Sequence, residues 1–285
     1  MKPCHIALVG GGNMGRALAG GLVAAGQDPA RLEVSDPRPE AREALARLGV
    51  RVGEDNRAAA ARAEVVVLAV KPQQVPAVAR EIAPALAGRP VLVISVAAGV
   101  TTASLARWLG EGVAVVRAMP NTPALVGAGA TALYATARVS RAQRERAEAV
   151  LRAVGLVLWV EEEALLDAVT ALSGSGPAYC FLVMEAMEAA GRALGLEAEQ
   201  ARLLTLQTAY GAAKMALESE EPPETLRRRV TSPGGTTERA LAVLEARGLR
   251  QAFAEALAAA CARSRELAAE LERAAGEEEG EGSRR

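Results

Sequence analysis

Residues 5–15, His-Ile-Ala-Leu-Val-Gly-Gly-Gly-Asn-Met-Gly, constrain this chain more than any other stretch. A short run rich in branched apolar residues reads as a buried strand. It breaks at Gly10, and Gly10, Gly12 and Gly15 follow a G-x-G-x-x-G spacing. In a dinucleotide-binding turn the first glycine permits the tight turn and the second lets backbone approach a pyrophosphate. The third lets the following helix pack on the strand. Residues 13–25 continue as that helix, with Leu18, Leu22 and Ala25 on one face and Gly26 as its stop. Its N-terminus offers unpaired N–H groups and a positive dipole end to phosphate. The spacing alone is a weak signal, but the preceding strand and an acid further on strengthen it. Leu32-Glu33-Val34-Ser35 reads as a second strand ending at Asp36. An acid there suits the ribose hydroxyls of NAD, whereas Arg38 suits the 2′-phosphate of NADP. The two features conflict, so NADP or NAD stays open.

Strand and helix alternate onward. Residues 50–52 form a short strand, and Asp55 or Asn56 opens an alanine-rich helix. Residues 64–70 are a continuous apolar strand ending at Lys71-Pro72, and residues 73–86 read as a helix. Residues 91–96 are another strand, followed by Ala97-Ala98-Gly99-Val100, and Thr101 or Thr102 caps a helix to Leu109. Residues 113–118 and 156–160 are further strands, the first stopping at Met119-Pro120-Asn121-Thr122-Pro123. The pattern specifies an α/β domain, a Rossmann-type doubly wound parallel sheet with helices on both faces. Ligands bind such sheets outside the strand carboxyl ends. The candidate cofactor-binding residues therefore come from turns converging on one crevice: Gly10, Gly12, Asn13, Met14 and Gly15; then Ser35, Asp36, Arg38 and Asn56. Ala69, Val70, Lys71 and Pro72 follow, with Ala97, Ala98, Gly99 and Asn121 from the last turns.

From Glu161 the strand signal stops, which makes the C-terminal domain all-α. The expected domains are a dinucleotide-binding domain at 1–160 and a helical substrate-binding and dimerisation domain at 161–275. Residues 276–285, acidic and glycine-rich, read as a disordered tail. Ser173-Gly174-Ser175-Gly176-Pro177 reads as a loop, with Pro177 in the first turn of a helix. Helical periodicity then runs to Gly195, over residues 198–218, and from Leu249 to about Ala274. In the last helix Leu249, Phe253, Leu257 and Cys261 recur every four residues, followed by Leu267 and Leu271. Such a stripe must be buried, against a second subunit or within its own domain.

Composition narrows the function. A formal net charge of −1 favours neither nucleic acid nor an anionic membrane. The longest apolar runs are too short to span a bilayer. The run after Lys2 is cut off by the glycine turn before it could serve as a signal peptide. A soluble cytoplasmic protein is the plain expectation. Cys4, Cys180 and Cys261 are far apart without metal-ligand spacing, and read as buried free thiols rather than a metal site. The one histidine, His5, lies at the wrong end of its strand for ligand chemistry.

A second constellation is Val230-Thr231-Ser232-Pro233-Gly234-Gly235-Thr236-Thr237-Glu238, placed before a helix over residues 237–246. The plain reading is an elaborate helix cap, the better one for a single Ser or Thr. Two consecutive glycines also let something approach the backbone, and such a nest suits a carboxylate or phosphate. A dinucleotide site plus a small-anion site suggests a reductase or dehydrogenase of a small acid.

Residues 223–245, with Ser232-Pro233-Gly234-Gly235-Thr236-Thr237 at their centre, resemble the signature of pyrroline-5-carboxylate reductase. The family pattern also appears at residues 10–15, 69–72, 97–100, 119–123 and 173–179, in order along nearly the whole chain. The resemblance implies reduction of the cyclic imine 1-pyrroline-5-carboxylate to L-proline by NAD(P)H, the last step of proline biosynthesis. It implies a small-molecule substrate and a homodimer with interlocked helical domains, often assembled into a ring of dimers. The substrate would lie between one subunit's nicotinamide pocket and the partner's Ser-Pro-Gly-Gly segment. On this pattern Val230, Ser232, Gly234, Gly235 and Thr236 would hold the substrate, and Thr237 would stand near the ring nitrogen as catalytic proton donor. Glu220 matches a substrate-side acid of some relatives.

The chemistry agrees, because a readily protonated imine needs no strong general acid, and positioning supplies much of the rate. Lys71 reads as orienting the cofactor, or as a salt-bridged strand-end lysine. A β-hydroxyacid dehydrogenase would place a catalytic lysine four residues after Gly176, where this chain has Cys180. A non-catalytic NAD(P)-binding regulator and a six-membered-imine reductase remain as alternatives.

Overall fold

The computed structural model describes residues 4–282, with side chains through residue 276; Lys2 lies outside the described residues. Strands β1 (Ile6–Val9), β2 (Leu32–Ser35), β3 (Arg51–Gly53), β4 (Val65–Leu68), β5 (Leu92–Ser95), β6 (Ala114–Met119), β7 (Gly129–Ala135) and β8 (Gly155–Trp159) form one sheet. Its order is β3-β2-β1-β4-β5-β6-β7-β8. The order reverses between β1 and β4, which opens a crevice at their carboxyl ends. Successive residues of a strand face opposite layers. Ile6, Leu8, Val65 and Val67 thus meet α1 (Asn13–Ala24), α2 (Pro39–Ala46) and α6 (Arg141–Arg152) in one core. Ala7, Val9, Val66 and Leu68 meet α3 (Asn56–Arg62), α4 (Val75–Leu86) and α5 (Thr102–Leu109) in the other. Strands covered on both faces explain the unbroken apolar runs.

The sheet departs from the all-parallel expectation at one edge. β7 pairs antiparallel with β6, and β8 pairs parallel with β7. A short 3₁₀ segment, Thr122–Val126, ends at Gly127 in a left-handed conformation (φ 72°), and this reverses the chain. The segment expected as a loop at residues 173–177 is helical. α7 (Leu165–Val169) continues into a π-helical turn, Thr170–Gly174, closed by Ser175 N–H donating to the Thr170 carbonyl at 2.8 Å. The Thr170 and Ser173 hydroxyls donate back to the carbonyls of Leu166 and Val169, at 2.7 and 3.0 Å. Pro177 does sit in the first turn of α8 (Gly176–Ala193).

The chain divides into two compact units, Met1–Ser175 with Ala259–Arg285, and Gly176–Ala258. The division differs from boundaries at 160 and 275 because α12 (Leu249–Gly282) returns to the first unit with its second half. Ser264 donates to Asp167 at 2.8 Å, and Glu272 accepts from the Thr101 and Ser104 hydroxyls at 3.0 and 3.1 Å. Ala275 joins the core beneath Leu271. The helix persists through Gly282, across most of the stretch expected as a tail; residues 283–285 lie outside the described residues.

The second unit holds α8, α9 (Ala198–Glu218), α10 (Pro223–Arg229), α11 (Thr236–Ala246) and the start of α12. Only Ala201 and Thr205 in it are buried, while Phe181, Leu182, Leu203 and Leu204 are more than half exposed. Leu249 and Phe253 of the expected buried stripe are 41% and 40% exposed. Apolar surface of this extent marks a protein–protein contact. The expectation of three buried thiols fails: Cys4 is buried, Cys261 half-buried and Cys180, on α8, exposed. No described helix is long and apolar enough to cross a membrane.

Candidate active site

The ladders of β1, β2 and β4 end together. Gly10 N–H donates to the Ser35 carbonyl and Ala69 N–H to the Val9 carbonyl, both at 2.8 Å. The turns that follow enclose a cavity of about 730 Å³ lined by Gly10, Gly12, Asn13, Ser35, Asp36, Arg38, Asn56, Ala69, Val70 and Lys71. Arg16, Pro37, Gln74 and Val78 complete it. These four were not anticipated from sequence; Arg16 lies one turn into α1, a position helical spacing alone could have put beside Gly12.

The glycines differ in their surroundings. Gly10 has φ 106°, and a Cβ there would meet the Ala69 carbonyl oxygen at 2.6 Å. A Cβ on Gly15 would lie 2.0 Å from the Gly10 carbonyl oxygen, so Gly15 is the packing glycine and does not line the cavity. A Cβ on Gly12 would meet nothing within 4 Å. Gly12 is also the N-cap of α1 and has no side-chain cap bond, so the first N–H groups of α1 face the cavity undisturbed. An elongated phosphodiester fits this cradle. Met14 packs against the core instead.

Asp36 is nearly buried. Its Oδ2 accepts from Gly11 N–H at 2.8 Å and from Arg38 Nη2 at 2.9 Å. Its Oδ1 accepts from Arg38 N–H at 2.9 Å and Arg38 Nε at 3.0 Å. Burial pushes this carboxyl up, yet the hydrogen bonds from Arg38 and Gly11 outweigh it and hold it below the usual carboxylate range. Arg42 Nη1 fastens the adjoining carbonyls of Asp36 and Pro37 at 2.8 and 2.9 Å. Ser35 Oγ donates to Asn56 Oδ1 at 2.7 Å, and Asn56 Nδ2 donates to Glu81 at 2.9 Å. Lys71 is exposed on the cavity wall without an ion pair among the described residues, which removes the salt-bridged reading.

Pro72, Ala98 and Gly99 line a neighbouring cavity of about 510 Å³ with Gln73, Thr170, Ser175 and the second half of α12. Ala97 is buried beside them. Asn121 lines neither cavity. Its Nδ2 donates to the Ser173 carbonyl at 3.0 Å and its Oδ1 accepts from Ala130 N–H at 2.8 Å, so its amide is used inside the fold.

In the second unit, Gly234 (φ 71°) turns the chain into α11, whose N-cap is Gly235. Gly235 N–H donates to the Ser232 carbonyl at 3.0 Å, and Glu238 accepts from Gly234 N–H at 2.7 Å. The hydroxyls of Ser232, Thr236 and Thr237 bond to no described residue, whereas Thr231 donates to the Arg227 carbonyl at 2.7 Å. Val230 closes α10 with 60% exposure, and Glu220 is exposed on the preceding turn. The arrangement offers hydroxyls and the first N–H groups of α11 to a small anion.

A doubly wound sheet with a glycine cradle at its switch point, joined to a helical unit carrying an anion nest, defines a dinucleotide-dependent oxidoreductase. Residues 163–267 match the family described as pyrroline-5-carboxylate reductase dimerisation, and residues 5–99 match NADP oxidoreductase, coenzyme F420-dependent. A pyrroline-5-carboxylate reductase of Pseudomonas aeruginosa is 53% identical over 95% of this chain and 99% of its own length. The solved structure of one from Coxiella burnetii superposes with a TM-score of 0.91 at 49% identity, covering 93% of this chain and 99% of that one. A Plasmodium falciparum pyrroline carboxylate reductase with NADP bound has a TM-score of 0.82 at 30% identity, over 94% and 99% of the two chains. The chain belongs to the pyrroline-5-carboxylate reductase family.

Proposed function

We propose that this protein reduces 1-pyrroline-5-carboxylate to L-proline in the cytoplasm, closing proline biosynthesis. A bound reduced nicotinamide supplies the hydride. The observation that carries the reading is the cradle at Gly12, open to the cavity on the bare N-terminus of α1. Gly10, Gly12, Asn13 and Lys71 hold the pyrophosphate, and Ser35, Arg38 and Asn56 hold the adenosine ribose. Ala97, Ala98 and Gly99 guide the nicotinamide end. Val230, Ser232, Gly234, Gly235 and Thr236 hold the imine's carboxylate, with Glu220 at the rim. Thr237 donates a proton to the ring nitrogen as the neighbouring carbon is reduced. Positioning does most of the work, because the imine is already basic. The exposed apolar faces of the second unit support a homodimer with interlocked helices, and we assign the larger assembly as a ring of such dimers. Imine-dependent oxidation of NADPH or NADH by the purified protein tests the activity. Cofactor binding without turnover would mark a regulator instead.

A further inference from the structure

Sequence spacing casts Asp36 as an acceptor for ribose hydroxyls, but the structure leaves it no capacity for that. An ionised carboxylate has about four lone-pair directions. Here four donors fill them: Gly11 N–H, Arg38 N–H, Arg38 Nε and Arg38 Nη2, all within 2.8–3.0 Å. A ribose hydroxyl would have to displace one of these. The same bonds fix the Arg38 guanidinium by a two-point grip, while its side chain stays 57% exposed on the cavity wall. Arg42 holds the carbonyls of Asp36 and Pro37 from behind, so the turn itself is braced. Asp36 and Arg38 neutralise each other, so the charges lining this cavity that remain unmatched among the described residues are those of Arg16 and Lys71. An outward guanidinium held in place suits a doubly charged phosphate monoester, which it binds through its remaining N–H groups.

We propose that Asp36 is a positioning residue that holds Arg38 for the 2′-phosphate, and that the protein therefore selects NADP(H) over NAD(H). This rests on the reductase reading for its purpose, but its first test uses no substrate. Calorimetric titration of the intact oligomer with adenosine 2′,5′-bisphosphate and with 5′-AMP compares the two nucleotide ends directly. The bisphosphate is expected to bind at least about 10-fold more tightly. Arg38→Ala should weaken the bisphosphate by about 10- to 100-fold, the worth of a charge-assisted contact, and 5′-AMP by less than about threefold. Arg38→Lys keeps the charge without the two-point grip and should recover only part of that loss. Asp36→Asn should lower bisphosphate affinity while sparing 5′-AMP, whereas a merely structural Asp36 would weaken both equally. In turnover the Arg38→Ala loss should fall on KM for NADPH. Equal affinity of the wild type for the two probes, or an unchanged ratio in Arg38→Ala, overturns the proposal. Arg38→Ala alone decides if Asp36→Asn fails to fold, since the Arg38 side chain is largely exposed. Absence of imine reduction with the binding preference intact would sink the reductase reading and leave this one standing.

Discussion

The glycines of residues 10–15 should respond differently to a side chain. Gly12→Val is expected to fold, because its Cβ meets nothing and its backbone (φ −71°, ψ −166°) suits any residue, yet to lose cofactor binding by filling the cradle. Calorimetry with NADP⁺ alongside a thermal melt checks both halves. Gly15→Ala should instead lower stability by about 1–3 kcal/mol, since its methyl collides with the Gly10 carbonyl. Thr237→Ala should keep its melting temperature and lose turnover by roughly 10²–10⁴-fold, the range for lost proton-transfer help; an unchanged rate would remove its role as donor. Asp36 has a folded-state pKa below its unfolded value, so its contribution to stability is present above the unfolded pKa, near 4, and is lost as pH falls through the folded one. Denaturant titrations of wild type and Asp36→Asn should therefore differ at pH 7 and converge in acid.

Among the elements, the strands most legible from sequence were those made of consecutive branched residues, as in Val65–Leu68 and Leu92–Ser95. β7 escaped because Gly-Ala-Thr-Ala-Leu-Tyr-Ala is rich in small residues with weak strand preference, and its direction is set by the turn at Gly127. Ser173 and Gly174 resemble a loop locally; they are helical because hydroxyl back-bonds and the Ser175–Thr170 bond widen the turn there instead of ending it. The glycine cradle was readable since its residues are contiguous. The Asp36–Arg38 grip was not, because spacing shows that two charges are near but not which lone pairs they occupy. Asn121, expected at the cofactor, bridges β7 and the π-helical turn. Asn121→Ala should strand the Ala130 N–H and cost about 1–3 kcal/mol in chemical denaturation. A loss of cofactor affinity at unchanged stability would restore the sequence-based role.

For the whole molecule, stability should depend on protein concentration. A helical unit with two buried residues cannot offset its own chain entropy, so its apolar faces must be covered by another copy. Raising concentration tenfold should raise the melting temperature. Phe253→Glu, on an exposed face of α12, should shift the mass in sedimentation toward the single chain. A melting temperature independent of dilution, with a monomeric mass, would refute the interlocked dimer.

The homeward half of α12 has a bearing on how the protein is born. Leu271 and Ala275 complete a core begun by Ala7 and Val9, and Glu272 ties down the hydroxyls of Thr101 and Ser104. On the ribosome, the core begun at β1 therefore stays incomplete until the second half of α12 has been translated. A nascent chain arrested before Ala259 would hold an open seam where that half-helix belongs.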